Sequence, residues 1–155
     1  MSFLKDSSIV FVSYKKYDAI YKSLSTMEDS YKKVDYKYLF LLSVAIGFKN
    51  SIRVPVENKG REIRASYYTQ NEESLLINML MADPDINHDI EWLMDSENFG
   101  EIRKIINEYA NAGMEIICNR GLDDYWDGEN LVKNDSTIIF ELSKFVLSEI
   151  SNVPF

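Results

Sequence analysis

Apolar positions along this chain fall in more than one rhythm. Ile9–Val12 is short, β-branched and aromatic, which suits a strand or an extended arm. From Lys15 to Leu24, Tyr17, Ile20, Tyr21 and Leu24 recur at the spacing of one helix face. Ser25–Lys33 is polar and reads as a loop. Asp35–Phe48 differs from both. Tyr38, Leu39, Phe40, Leu41, Leu42, Val44, Ala45 and Ile46 leave almost no polar face. A helix that is apolar all round is buried on most sides, so 35–48 is the expected central helix, with Gly47 near its end.

The helical rhythm then breaks. Ile52, Val54 and Val56 alternate with Arg53 and Pro55, and Ile63, Ala65 and Tyr67 alternate with Arg64 and Ser66. A turn-rich stretch, Val56–Gly60, lies between, which predicts a small β-hairpin over 52–67. Asn71 is placed to cap the next helix, with Glu72 and Glu73 in its first turn and Leu75, Leu76, Met79 and Leu80 on its apolar face. Asp83-Pro84 stops that helix, and Pro84 suits the first turn of another carrying Ile86, Ile90, Leu93 and Met94. Ser96 then caps a helix over 97–112, closed by Gly113, with Phe99, Ile102, Ile105, Ile106 and Tyr109 facing the core. Met114–Cys118 adds a further helical turn, 121–136 is a long acidic loop, and Thr137–Ile150 is a last helix. No repeat, low-complexity stretch or linker divides the chain. The expectation is a mainly α protein: a single domain, 1–155, of six or seven helices around helix 35–48, with one small hairpin.

Charge changes this picture. The formal net charge of −8 is unevenly spread: residues 1–64 carry 12 Lys/Arg against 7 Asp/Glu, and residues 65–155 carry 5 against 18. Either the basic part meets an anionic partner, or the two halves attract each other within the fold. The single cysteine, Cys118, excludes an internal disulfide and fits a reducing compartment. The apolar part of the N-terminal segment is too short for a signal peptide. The longest apolar run, Tyr38–Phe48, is too short to span a bilayer. The expected location is the cytoplasm, with no membrane partner.

Most chemistries lack their parts. With one His, His88, and one Cys, Cys118, a zinc site of the usual kind cannot be assembled, and no metal or other cofactor is expected. Asp123, Asp127 and Gly128 match three positions of a calcium loop, but Tyr125 and Asn134 stand where two ligands belong. No G-x-S-x-G, Walker or G-x-G-x-x-G motif occurs. One constellation remains. Lys49, Arg53, Lys59, Arg61 and Arg64 lie close in sequence and Tyr67 and Tyr68 follow, so cations and aromatics on a hairpin could track a phosphate backbone. The competing reading is a solvated hairpin that pairs with the acidic half.

Three stretches carry a family resemblance: Tyr17–Leu24; Tyr38–Asn50 running into Arg53-Val54-Pro55-Val56; and Glu108-Tyr109-Ala110-Asn111-Ala112-Gly113-Met114. Over roughly residues 9–118 the chain resembles small proteins associated with bacterial DNA phosphorothioation (Dnd) systems. In those proteins an apolar helix ending in a Gly-Phe step is similarly followed by an Arg-x-Pro segment, and a Tyr-Ala-Asn-x-Gly helix end comes later. The resemblance implies an accessory component of prokaryotic anti-phage defence or DNA modification, and it assigns no active-site residue. The leading expectation is a non-enzymatic subunit whose partners are other proteins of that system. The alternatives are DNA or RNA binding through Lys49, Arg53, Lys59, Arg61 and Arg64, and a hydrolase using Asp123, Asp124, Asp127 and Glu129.

Overall fold

A computed structural model of the chain describes Leu4, residues 7–25 and residues 34–151. Its organisation turns on the crossing of two helices, α2 (Tyr36–Lys49) and α5 (Phe99–Ile116), numbered here in chain order. They touch through backbone. A Cβ on Gly47 would lie 2.2 Å from the Tyr109 carbonyl oxygen, and one on Gly113 would lie 1.6 Å from that of Ser43. Only glycine permits this approach at either position. Gly113 therefore does not close a helix, as its position at the end of the apolar rhythm predicts. It lies inside α5, which runs on to Ile116 and then widens into a π-helical turn, Ile117–Gly121. There the Leu122 N–H reaches the Ile117 carbonyl at 2.9 Å.

Every residue of α5 from Ile105 to Met114 is buried, including Asn107, Glu108 and Asn111. Helix α2 buries Leu39, Phe40, Val44 and Ile46 against this centre, with Tyr38 and Ala45 at its outer side. Fully burying such side chains stabilises a fold by about 1.5–3 kcal/mol each.

A small two-stranded sheet is present, but its pairing is not that of a local hairpin. Strand β1 (Val10–Tyr14) runs antiparallel to β2 (Lys59–Arg64), with Phe11 opposite Ile63, Val12 opposite Glu62 and Tyr14 opposite Lys59. Gly60 and Arg61 together face Ser13, a bulge, and the Arg61 N–H donates to Ser13 Oγ at 3.1 Å. The other segment expected in the hairpin, 52–56, pairs with no strand among the described residues. It lies along α5: the Val54 N–H donates to the Glu108 carbonyl (3.1 Å), and Asn111 Nδ2 donates to the carbonyls of Val54 (3.2 Å) and Pro55 (3.0 Å). Alternating polarity could not separate these outcomes, and Pro55 has no N–H to give to a ladder.

The remaining elements follow the predicted order with shifted ends. Lys15–Tyr17 forms a 3₁₀ turn leading into α1 (Asp18–Ser25). The rest of the predicted loop, residues 26–33, lies outside the described residues. Helix α3 (Gln70–Ala82) is capped by Thr69 rather than Asn71: Thr69 Oγ1 accepts from the Glu72 N–H, and Glu72 Oε1 accepts from the Thr69 N–H. Pro84 opens no helix; the chain turns until Asp89 caps the short α4 (Ile90–Met94). Asp95, not Ser96, caps a 3₁₀ turn, Ser96–Asn98, that feeds α5. The acidic loop is tied to the core through buried Tyr125 and Trp126, and α6 (Ile138–Ser151) ends the described chain. Among the described residues no helix is long and apolar enough to cross a membrane.

Candidate functional site

The five cations singled out in the sequence do not share one surface. Arg53 follows α2 by four residues and is carried back across α5, into a cleft of about 610 Å³ lined by Phe48, Lys49, Ser51, Asp83, Asp85 and Tyr109. Its guanidinium meets three carboxylates: Asp83 at 4.0 Å, Glu108 at 3.8 Å and, closest, Asp85. It also lies 5.9 Å from the centre of the Tyr109 ring. Asp83 is 1% exposed, yet both of its oxygens are engaged. Oδ1 accepts the Asp85 N–H at 2.8 Å, and Oδ2 accepts the Tyr109 hydroxyl. Burial, and the need to keep its proton for Asp83, push the Tyr109 phenol well above its ordinary range.

Lys49 is likewise absorbed. Its ammonium donates to the Glu149 carbonyl (2.7 Å) and to Glu149 Oε2 (3.1 Å) on α6. Arg120 holds the other Glu149 oxygen at 2.9 Å. Gly121 lets the Phe145 ring come within 2.7 Å of where a Cβ would stand. This ion triplet and that close approach dock α6 against α2 and the π-helical turn. For Lys49 and Arg53, then, the two halves of the chain do attract each other.

Lys59, Arg61 and Arg64 stand on β2, and all three are exposed. Arg61 lies over the Tyr36 ring at 4.5 Å. Arg64 is three residues further along the strand and so on the opposite face. Lys59 lines a different cavity, of about 240 Å³, with Arg103 and Lys104 of α5, Gly100, Asn107, Val12 and Pro55. A second cavity, lined by Ser8, Ile9, Val10 and Phe99, shares Gly100 and Arg103 with the first. The two form one groove along the start of α5. Among the described residues none of Lys59, Arg103 and Lys104 is within ion-pair distance of a carboxylate.

Asn107 sits under this groove. Its Oδ1 accepts the Val12 N–H at 3.0 Å and so satisfies one donor on the free edge of β1. Helical periodicity marked Tyr109 but not the buried polar residues Asn107, Glu108 and Asn111, because nothing local distinguishes a polar residue that meets backbone from one that meets water. Arg103-Lys104 did carry a signal: it is an adjacent cation pair in a strongly acidic half.

Other candidates are structurally occupied. His88 Nδ1 pairs with the Met81 carbonyl. Cys118 is buried, which pushes its thiol far above the reactive range. Asp127 Oδ1 accepts the N–H groups of Glu129 (2.8 Å) and Asn130 (2.6 Å), which hold its carboxyl below the usual range and make the calcium-like segment a turn. Among the described residues no group of three His, Cys, Asp or Glu could hold a metal ion.

Residues 13–135 match the model of a family described as DNA sulphur modification system-associated protein 4. The matched segment takes in the α2–α5 crossing, the Arg53 cleft, the groove and most of the acidic loop. No curated protein and no solved structure matches the chain.

Proposed function

Because the chain belongs to the DNA sulphur modification system-associated protein 4 family, we propose that it serves such a system as a non-enzymatic accessory subunit acting through protein–protein contacts. The observation that supports contact as its mode of action is the outer side of α6. Ile138, Leu142 and Phe145 face the core, as expected of an amphipathic helix. The opposite side should then be polar. It instead presents Leu147 at 66% exposure, Ile150 at 58% and Phe140 at 55%. Their spacing puts them along one stripe, and an apolar stripe of this kind marks a contact surface.

The charged groups point the same way. The buried carboxylates at Asp83, Glu108 and Glu149 are each held by Arg, Lys or Tyr partners, an arrangement that fixes structure. The third sequence-based alternative, a hydrolase built on Asp123, Asp124, Asp127 and Glu129, gains no support from Asp127, whose carboxylate is spent on its own loop.

The test is reconstitution with the proteins encoded beside it. Co-expressed with the products of neighbouring DNA-modification genes, the tagged protein should co-purify with one of them in fixed ratio. Leu147→Glu with Ile150→Glu should abolish that association while leaving the fold intact. A protein that stays alone against every neighbour would end this reading.

A further inference from the structure

We propose that the groove lined by Lys59, Arg103 and Lys104 is a binding site for the phosphodiester backbone of a polynucleotide. The inference does not depend on the docking of α6. It begins from charge accounting. Elsewhere in the structure Lys37, Lys49, Arg53, Arg120, Lys133 and Lys144 each face a carboxylate. Among the described residues Lys15, Lys16, Arg61 and Arg64 face none, and neither do Lys59, Arg103 and Lys104. Only the last three come together around one cavity.

Among the described residues the only carboxylate in its lining is Glu108, and the charge of Glu108 is turned toward Arg53 at 3.8 Å. The structure thus disposes of the one group that would neutralise the groove from within. Glu97 and Glu101 lie on neighbouring turns, but neither lines either cavity.

The shape fits an anion that extends beyond a single phosphate. The two adjoining cavities share Gly100 and Arg103, which places a cation at their junction. Gly100 is in the first turn of α5, and a Cβ there would meet nothing within 4 Å. Gly100 therefore adds no side chain to the groove and leaves room there for a phosphate group. Pro55, Val56 and Val12 supply apolar wall for sugar or base. This set differs from the five cations expected from sequence: it keeps Lys59, drops Lys49 and Arg53 to internal pairing, and adds Arg103 and Lys104.

The experiment is fluorescence anisotropy with labelled single-stranded and duplex DNA oligonucleotides over a salt series, beside calorimetry with inorganic phosphate and with poly-glutamate. The wild-type protein should bind an oligonucleotide at low salt and bind phosphate alone far more weakly. Lys59→Gln/Arg103→Gln/Lys104→Gln should weaken oligonucleotide binding at least tenfold and flatten the log–log salt slope by about 2 to 3. Arg64→Gln, a cation outside the groove, should leave affinity within about twofold. No oligonucleotide binding at low salt, equal binding of poly-glutamate, or equal losses from Arg64→Gln and the triple variant would each overturn the proposal. A failure here leaves the co-purification result untouched, so the two readings stand or fall separately.

Discussion

Helix α5 has cations on two sides, and they meet opposite fates. On one side Arg53 is folded into a cleft with Asp83, Asp85 and Glu108, and its charge is spent inside the molecule. On the other, Lys59, Arg103 and Lys104 line a groove and, among the described residues, form no ion pair. Glu108 links the two sides: it borders the groove but pairs with the cleft. The difference teaches that clustering of cations in sequence is a poor guide to clustering in space. Lys49, Arg53 and Lys59 lie within eleven residues of one another. They end up, respectively, docking α6, neutralising a buried Asp, and lining an open groove.

Both sides hang on one helix crossing, so the largest expected effect removes the comparison altogether. Gly113→Val would drive a branched side chain into the Ser43 carbonyl, where even a Cβ would sit at 1.6 Å. The helices would have to part, at a cost of about 3 kcal/mol or more. Urea denaturation should show the loss, and oligonucleotide binding should fall with the folded fraction. A variant as stable as wild type would mean that α2 and α5 cross less closely than described.

Next comes the paired side alone. Arg53→Met keeps the stem and removes the charge, leaving Asp83 and Glu108 buried without their cation. Breaking a buried pair from one side costs about 3 kcal/mol. Adding Asp83→Asn should recover part of that loss, because the orphaned charge goes with it. A double-mutant cycle measures this coupling, and strict additivity would show that the Arg53–Asp83 contact holds nothing.

The same cleft predicts a pH dependence. The Tyr109 phenol is raised above its ordinary value of 10.0, mainly by burial and then by its hydrogen bond to Asp83. A raised value means that the fold holds the proton more tightly than the unfolded chain does. Its stabilisation is therefore complete below about pH 10 and is lost as pH rises beyond it. Burial raises Tyr17, Tyr21 and Tyr68 in the same direction. Stability measured by urea should fall steeply above about pH 10, and Tyr109→Phe should make that fall shallower. An unchanged slope would remove Tyr109 from the linkage.

What could be read in advance follows the range of the interactions. Helix positions were legible because apolar rhythm is a local property: α2 was expected at 35–48 and lies at Tyr36–Lys49, and α6 was expected at 137–150 and lies at Ile138–Ser151. Caps were less so, since Thr69 and Asn71 both carry a side-chain oxygen that can accept, and geometry chose the intrinsically weaker cap, Thr69. The pairing of β2 with Val10–Tyr14 was not legible, because a strand's pattern tells which face is buried and not which strand lies beside it. The glycines at 47 and 113 read as helix ends for a like reason. Their true role is set by another helix 66 positions away, from which each takes a backbone contact. The groove needed three dimensions: Lys59 and Arg103 are remote in sequence, and the engagement of Glu108 by Arg53 is invisible without coordinates.

The smallest expected effect on stability is the one that separates the two sides most sharply. Arg103→Gln with Lys104→Gln removes two positive charges, one more than Arg53→Met removes. If the groove cations were structural, the double change would destabilise the protein at least as much. Among the described residues they form no ion pair with a carboxylate, so their neutralisation breaks none. The expected change in unfolding free energy is within about 0.5 kcal/mol. High salt should shrink the difference from wild type, because screening weakens interactions between exposed charges. A loss of more than about 1 kcal/mol would place Arg103 and Lys104 with Arg53 as internal ties, and the contrast between the two sides of α5 would collapse. Stability unchanged within that range, measured together with lost oligonucleotide affinity, would mean that these cations hold no part of the fold and keep their charge available to a ligand.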